Sequence, residues 1–338
     1  MMAVLLLLRD IFGQELAITQ LRQAQLAGRV PHGLIFSGPN GVGKGTTARA
    51  LGAWFLCDHP LADDSCGKCP SCHLVESGTH PDFHMIYRQL VRLLKKTSKA
   101  RDLSIDVIKE YFLGPASRTP MQGNGKVFVI EEAETMSRDA ANAILKTLEE
   151  PYGRTLILLL TDQPHYLLPT MRSRCQVVQF SGLSDDLIIG QLEAKGIDRA
   201  TAELAAHLAQ GSLGPAIRWT EDGLVQRISP LFERLASAIA GHPSDDLPKF
   251  IADVSAQQVL AEQARDPNIS KDQATRDAVV LHLRFASEYL RAQFTSDLDA
   301  GKKLRICRMI DDIAQSQIYI EGNVNVNLVL EHVGNRLR

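Results

Sequence analysis

The stretch Gly38-Pro-Asn-Gly-Val-Gly-Lys-Gly-Thr-Thr47 carries the glycine spacing and the lysine of a phosphate-binding loop. Gly38, Gly41 and Gly43 let backbone amides wrap phosphate oxygens, and Lys44 adds a positive charge at the β/γ position. The pattern calls for a hydroxyl directly after the lysine, because that oxygen ligates the Mg²⁺ bridging the nucleotide phosphates. This chain has Gly45 there. Thr46 offers a hydroxyl one residue later, about 100° further around a helix, so it points away from the phosphates. Downstream, Glu131-Glu132 end an apolar run and are read as the acidic partners of such a loop, able to hold magnesium and a water.

A second constellation is Cys57, Cys66, Cys69 and Cys72. Four thiolates suit a tetrahedral Zn²⁺, and CxxC turns bring two sulfurs onto one ion without strain. A ferredoxin-type cluster would want a further cysteine shortly after CxxCxxC, and His73-Leu-Val-Glu76 supplies none. Four protein ligands leave no open position, so the zinc is expected to be structural.

The elements that must position these groups show as short apolar runs: Leu34–Ser37, Phe83–Tyr87, Val127–Ile130, Leu156–Leu160 and Val177–Phe180. Apolar residues at consecutive positions imply strands buried on both faces, hence a parallel sheet covered by helices. Between the third and fourth runs, Ala141, Ile144, Leu145 and Leu148 form one helical stripe, with Ser137 as cap and Pro151 as stop. After about residue 182 the strand signals end. Short helices are expected over 187–196, 200–210 and 214–220, then a helical remainder, with a loop or helix junction over 265–275. The cut is an α/β domain over 1–182 with a zinc module at about 57–80, a small helical domain over 183–222, and a helical domain over 223–338.

Composition limits the function classes. The 338 residues are 45% apolar and 22% charged, and 37 Lys+Arg against 39 Asp+Glu leave a net charge of -2, so no global basic excess advertises nucleic-acid binding. The run over 88–101 holds Arg88, Arg92, Lys95, Lys96, Lys99 and Arg101 without an acid. It suits backbone phosphates, and equally a solvated or partner-facing helix, so no DNA site is assigned to it. The apolar stretch Ala3–Leu8 is too short for a signal-peptide core or a membrane span, and clustered cysteines suit a reducing compartment; a cytoplasmic address is expected.

Several features meet in one order: Phe12-Gly-Gln-Glu15, "HGLIFSGPNGVGKGTTARAL" from His32, the four cysteines, "SGTHPDFH" from Ser77, "VFVIEEAETMSRDAANAILKTLEEP" from Val127 and "LLPTMRSRC" from Leu167. Together they resemble the clamp-loader subunits of bacterial DNA polymerase III, which are AAA+ ATPases. The resemblance spans about residues 10–220; "NVNVNLVLEHV" looks like the family's closing helix. It implies an AAA+ parallel-sheet domain, a helical lid and an all-helical C-terminal collar for oligomerisation. It further implies a ring with the gamma/tau ATPase and delta subunits, a sliding clamp and primed DNA met through that complex, a place in the DNA-directed DNA polymerase (nucleotidyltransferase) holoenzyme, and no membrane.

The family has two AAA+ kinds, the gamma/tau motor and the delta-prime stator, a poor ATPase. The motor carries aspartate where Glu131 stands and, directly after Gly-Ser-Leu, an arginine reaching the γ-phosphate where Gly214 stands. Arg218, one turn on, is read as a possible substitute or an ordinary solvated arginine. Thr161 occupies the polar-sensor position. Gly45, Glu131 and Gly214 together favour the stator, with ATP or ADP binding possible, Mg²⁺ only with nucleotide, and turnover weak or absent. Arg174 of Ser173-Arg174-Cys175 matches the arginine that family members project in trans into a neighbour's ATP site. The alternative is a gamma/tau-like motor with Thr46, Glu131 and Arg218 in shifted roles. A small P-loop kinase with a zinc lid accounts for neither "RSRC" nor the helical final third.

Overall fold

The computed structural model describes residues 7–95, 102–122, 124–243, 245–265 and 269–336. They form two compact units: one comprises the chain to Ile188 with Gln210–Gly214, the other Ile189–Ala209 with Pro215 onward.

The first unit is built on five parallel strands, β1 (Gly33–Ser37), β2 (Phe83–Ile86), β3 (Lys126–Ile130), β4 (Thr155–Thr161) and β5 (Gln176–Gln179), in the order β2-β3-β4-β1-β5. In the three central strands β1, β3 and β4 the apolar runs read as they do because alternate side chains enter different cores; the edge strands β2 and β5, also expected to be buried on both faces, are instead half-buried and largely exposed, because each has a neighbour on one side only. Leu34, Phe36, Val127, Val129, Leu156, Leu158 and Leu160 join one cluster. Ile35, Phe128, Ile130, Ile157 and Leu159 join another. Each fully buried side chain of this kind contributes about 1.5–3 kcal/mol. Helices α1 (Glu15–Leu26) and α2 (Lys44–Leu56) supply Ile18, Leu21, Leu51 and Trp54 to the first cluster. The helix Arg138–Glu149 supplies Ala140, Ile144 and Leu148 to the second, and Ser137 caps it by accepting from the Ala140 amide at 3.2 Å.

The cysteine segment joins α2 to α3 (Pro70–Ser77) and is pinned by polar groups. Buried Asp64 accepts from the amides of Leu8, Arg9 and Ser65, and Asp58 accepts from Ser71 Oγ at 3.0 Å and Asn124 Nδ2 at 2.7 Å. Of the basic run, Arg88–Leu90 and Val91–Leu94 are short helical turns and Lys95 pairs with Asp106, whereas Lys96, Lys99 and Arg101 lie outside the described residues, as do Ala3–Leu6.

The second unit is helical: Arg199–Ala209, Leu224–Ile239, Leu247–Arg265, Lys271–Gln293, Ala300–Glu321 and Val326–Arg336. Trp219 meets the edge of Phe285 with ring centroids 4.8 Å apart, and His282 is wholly buried beside them. Among the described residues no helix is long and apolar enough to cross a membrane.

Candidate functional site

β1 ends at Ser37, the loop crosses Gly38–Gly43, and α2 begins at Lys44. Glycine is required at two of these places. A Cβ on Gly38 would collide with the Phe180 carbonyl, and Gly43 holds φ +104°, a region costly for residues with a side chain. The loop is braced from outside. The Gly38 amide donates to Thr161 O at 3.2 Å. Buried Gln14 donates through Nε2 to Val42 O at 3.2 Å and to Ser181 O at 2.7 Å, while its Oε1 accepts from the Ser181 amide at 3.1 Å. The segment holding Gly214 also reaches the loop: Ser212 Oγ donates to Asn40 O at 2.6 Å and the Gly214 amide to Gly41 O at 3.2 Å.

Lys44 is turned onto its own loop, donating to Gly38 O at 2.5 Å and Pro39 O at 2.7 Å. Burial pushes its pKa below the ordinary lysine value, and Asp162 and Glu134 pull it back up. These two acids are the site's unforeseen members. Asp162 follows Thr161 at the end of β4 and accepts from Asn40 Nδ2 at 2.7 Å. Glu134 has a raised pKa, first because it is buried; a Thr161 hydrogen bond opposes the shift and Asp162 reinforces it. Thr161 thus contacts a carboxyl beside the lysine, and its Oγ1 also accepts from the Gln163 amide at 3.0 Å.

Glu131 is held at the end of β3 by its amide, which donates to Ile86 O at 2.9 Å. Its carboxyl faces Gly45: a Cβ built there would lie 3.9 Å from Glu131 Oε1. Burial raises the Glu131 pKa, Arg49 lowers it and Glu132 raises it further. Glu132 turns away, at φ +48° and paired with Arg88 at 2.7 Å. Thr46 follows Gly45 within α2, a step of about 100° around the helix. Thr47 is buried and donates its hydroxyl back to Gly43 O at 2.9 Å. Arg218 belongs to the second unit, where its charge acts on Glu262.

Arg174 sits between the short helix Pro169–Arg172 and β5. Its Nε donates to Glu149 Oε1 at 2.6 Å, Nη2 completes an ion pair with the same carboxylate, and Nη1 donates to Thr170 O at 2.8 Å. A third of the side chain stays exposed.

The four cysteines converge, their sulfurs all within 4.8 Å of one another. Cys57 Sγ lies 3.5 Å from Cys66, 3.8 Å from Cys69 and 3.7 Å from Cys72, and Cys66 lies 3.9 Å from Cys72. Four sulfurs about 2.3 Å from one zinc would stand about 3.8 Å apart, so the set fits that ion. Amides of Cys66, Lys68 and Cys72 donate to sulfurs at 3.4–3.5 Å, which favours thiolates. The Lys68 amide is the first cause that brings the Cys66 thiol down to about 6, whereas burial pushes Cys57 and Cys72 up.

Sequence reading located the loop, the strand-end acids and the cysteines, and missed Asp162, Glu134, Asn40, Ser212 and the bracing role of Gln14. Asp162 had a local signal, an acid directly after the expected sensor threonine. Ser212 had none.

The profile of a family described as DNA polymerase III, delta subunit, matches residues 13–184. Among curated relatives, the DNA polymerase III subunit delta' of Pseudomonas aeruginosa is 40% identical over 154 residues, 45% of this chain and 44% of the relative. The delta' subunit of Escherichia coli is 31% identical over 236 residues, 70% of this chain and 67% of the relative. The tau subunit of Escherichia coli is 31% identical over 262 residues, 75% of this chain and 39% of the relative. The chain spans less than half the length of the first curated relatives it matches, 44% of delta' from Pseudomonas aeruginosa and 39% of tau from Salmonella typhimurium.

Proposed function

The chain belongs to the DNA polymerase III delta-subunit family, as a delta-prime clamp-loader subunit, and from that premise we propose that it is a stator rather than a motor. One observation carries the reading: the acid following Glu131, which would orient the attacking water in an active member, is instead turned to φ +48° and neutralised by Arg88. With Gly45 unable to ligate magnesium, ADP or ATP is held without effective turnover, by the loop amides and Lys44. Thr161 contacts Glu134, one of the acids around that lysine.

Its contribution to catalysis lies in trans. Arg174 stands partly exposed on the surface of the first unit, with a planar guanidinium suited to charge on a transferring phosphoryl group in an adjacent gamma/tau subunit. Cys57, Cys66, Cys69 and Cys72 hold a structural Zn²⁺ that fixes the segment between α2 and α3. The residues over 183–222 act as a lid and those over 223–338 as the collar that joins the ring with gamma/tau and delta. Clamp and primed DNA are met through that cytoplasmic complex.

Steady-state ATP hydrolysis by the purified chain, with clamp and primed DNA present, tests the proposal. Turnover at the level of a gamma/tau subunit that vanishes in Lys44→Ala would overturn it in favour of the motor reading, which the 75% coverage by the tau relative keeps as the alternative.

A further inference from the structure

We propose that Gln14 and Ser212 are positioning residues for phosphate: each holds a carbonyl of the Gly38–Lys44 loop and thereby turns the amide that follows it toward an incoming nucleoside polyphosphate. The inference rests on the nucleotide-binding reading above and adds what sets the strength of that binding.

In a planar trans peptide the C=O and the N–H that follows it point in opposite directions, so a carbonyl held on one side presents its amide on the other. Ser212 Oγ donates to Asn40 O at 2.6 Å, in the peptide that carries the Gly41 N–H. The Gly214 amide donates to Gly41 O at 3.2 Å, in the peptide of the Val42 N–H. Gln14 Nε2 donates to Val42 O at 3.2 Å, in the peptide of the Gly43 N–H. Three successive peptide planes are fixed in this way. Gly41 and Gly43 have φ of +77° and +104°, and left-handed residues alternating along a loop let its amides converge on one anion. Among the described residues the Gly41 and Gly43 amides donate to no protein acceptor, which leaves them for a ligand.

The two holders are buried and are themselves held. The Gln14 carboxamide also donates to Ser181 O at 2.7 Å and accepts from the Ser181 amide at 3.1 Å. Two residues further on, the Leu183 amide donates to Gly211 O at 2.9 Å, next to Ser212. A Cβ on Gly211 would stand 2.8 Å from Gly182 Cα, so glycine is what lets these two segments meet so closely. The bonds therefore link the two ends of one brace around the loop, and all of these residues belong to the first unit. A loop peptide released from its holder can turn its N–H away, and a ligand that must order it on binding is held less tightly.

Calorimetric titration of ADP into the full chain and its Ser212→Ala variant tests this, with a cooperative urea transition to show that the variant is folded. Ser212→Ala is expected to weaken ADP about tenfold. Inorganic pyrophosphate, competing with ADP, should weaken by the same factor, because the turned amides meet phosphate and not the base; a general loosening of the site would affect base contacts too. An unchanged ADP constant, or a loss for ADP that pyrophosphate does not share, overturns the inference while leaving the nucleotide reading intact. No ADP binding by the wild type, or ADP that pyrophosphate cannot displace from it, removes both. Gln14→Met keeps the length of the side chain without its donor and is expected to weaken both ligands alike; if that buried change prevents folding, the Ser212→Ala result decides.

Discussion

The Glu149 carboxylate, at the end of the helix Arg138–Glu149, receives both Nε and Nη2 of Arg174. The pair is partly solvent-exposed on both sides, and such pairs contribute no more than about 1 kcal/mol to stability. Its consequence is orientation: with Nη1 on Thr170 O, the guanidinium plane is fixed before any partner arrives.

Arg174→Ala should therefore leave the chain folded, with a loss under about 1 kcal/mol in chemical denaturation. In a reconstituted loader the same substitution is expected to lower ATP turnover on the order of 10³-fold. Arg174→Lys should not rescue it, because an ammonium lacks the planar fork. An unchanged rate in both variants would remove the role in trans.

The cysteine site gives a prediction independent of nucleotide. Cys72 is wholly buried, with Cys57 and Cys66 sulfurs at 3.7 and 3.9 Å. Cys72→Ser replaces a thiolate by a weak ligand, so bound zinc, counted by metal analysis, should fall from one equivalent to well below half. Limited proteolysis should then cut between Cys57 and Ser77, because the proposed metal would hold this segment folded. Acid should release the ion too, since protons compete for the sulfurs.

The fold was legible where a local pattern carries it. β1, β3 and β4 announced themselves by consecutive apolar residues, because each is buried on both faces, whereas the edge strands β2 and β5 are only partly buried; the cysteines were legible by spacing, because two CxxC turns almost prescribe one ion. The loop around Lys44 was legible for the same reason. What stayed hidden is long-range. Ser212 reaches Asn40 across 172 residues, and Gln14 reaches Ser181 across 167. Arg88 pairs with Glu132 only because β2 and β3 are neighbours in the sheet. No periodicity encodes such pairings.

Two glycines of one loop should respond oppositely to alanine. Gly38→Ala drives a Cβ into the backbone carbonyl of Phe180, which cannot swing aside as a side chain can. A loss of about 2 kcal/mol or more is expected in urea denaturation. Gly45 stands in the first turn of α2, and a Cβ on it would meet only Glu131 Oε1, at an ordinary contact distance of 3.9 Å. Gly45→Ala should be neutral or stabilising by up to about 1 kcal/mol, as the helix loses a flexible residue. Equal destabilisation by both would contradict the geometry of the loop.

His282 makes the helical unit sensitive to acid. Its Nδ1 lies 2.7 Å from Ala278 O, which can only accept, so Nδ1 carries the proton; Ser255 Oγ stands 3.1 Å from the same nitrogen. Nε2 has no hydrogen-bond partner among the described residues, so protonating it would create a buried, unpaired charge. Burial accordingly lowers the pKa to about 4 from the ordinary 6.5, with Arg227 adding to the shift and the Ala278 carbonyl opposing it. Because the folded value is depressed, the unfolded chain takes the proton first as pH falls. The neutral imidazole's contribution is complete above about pH 6.5 and is lost on descending to about pH 4, a change of about 3 kcal/mol. Glu131, Glu134 and Glu262 have raised values and act in the opposite sense over the acidic range. The wild type should therefore be compared with His282→Leu by urea denaturation at a series of pH values. The difference in stability between the two chains should be flat above pH 7 and shift against the wild type between pH 6.5 and 4; a difference independent of pH would show that this histidine is not the titrating group.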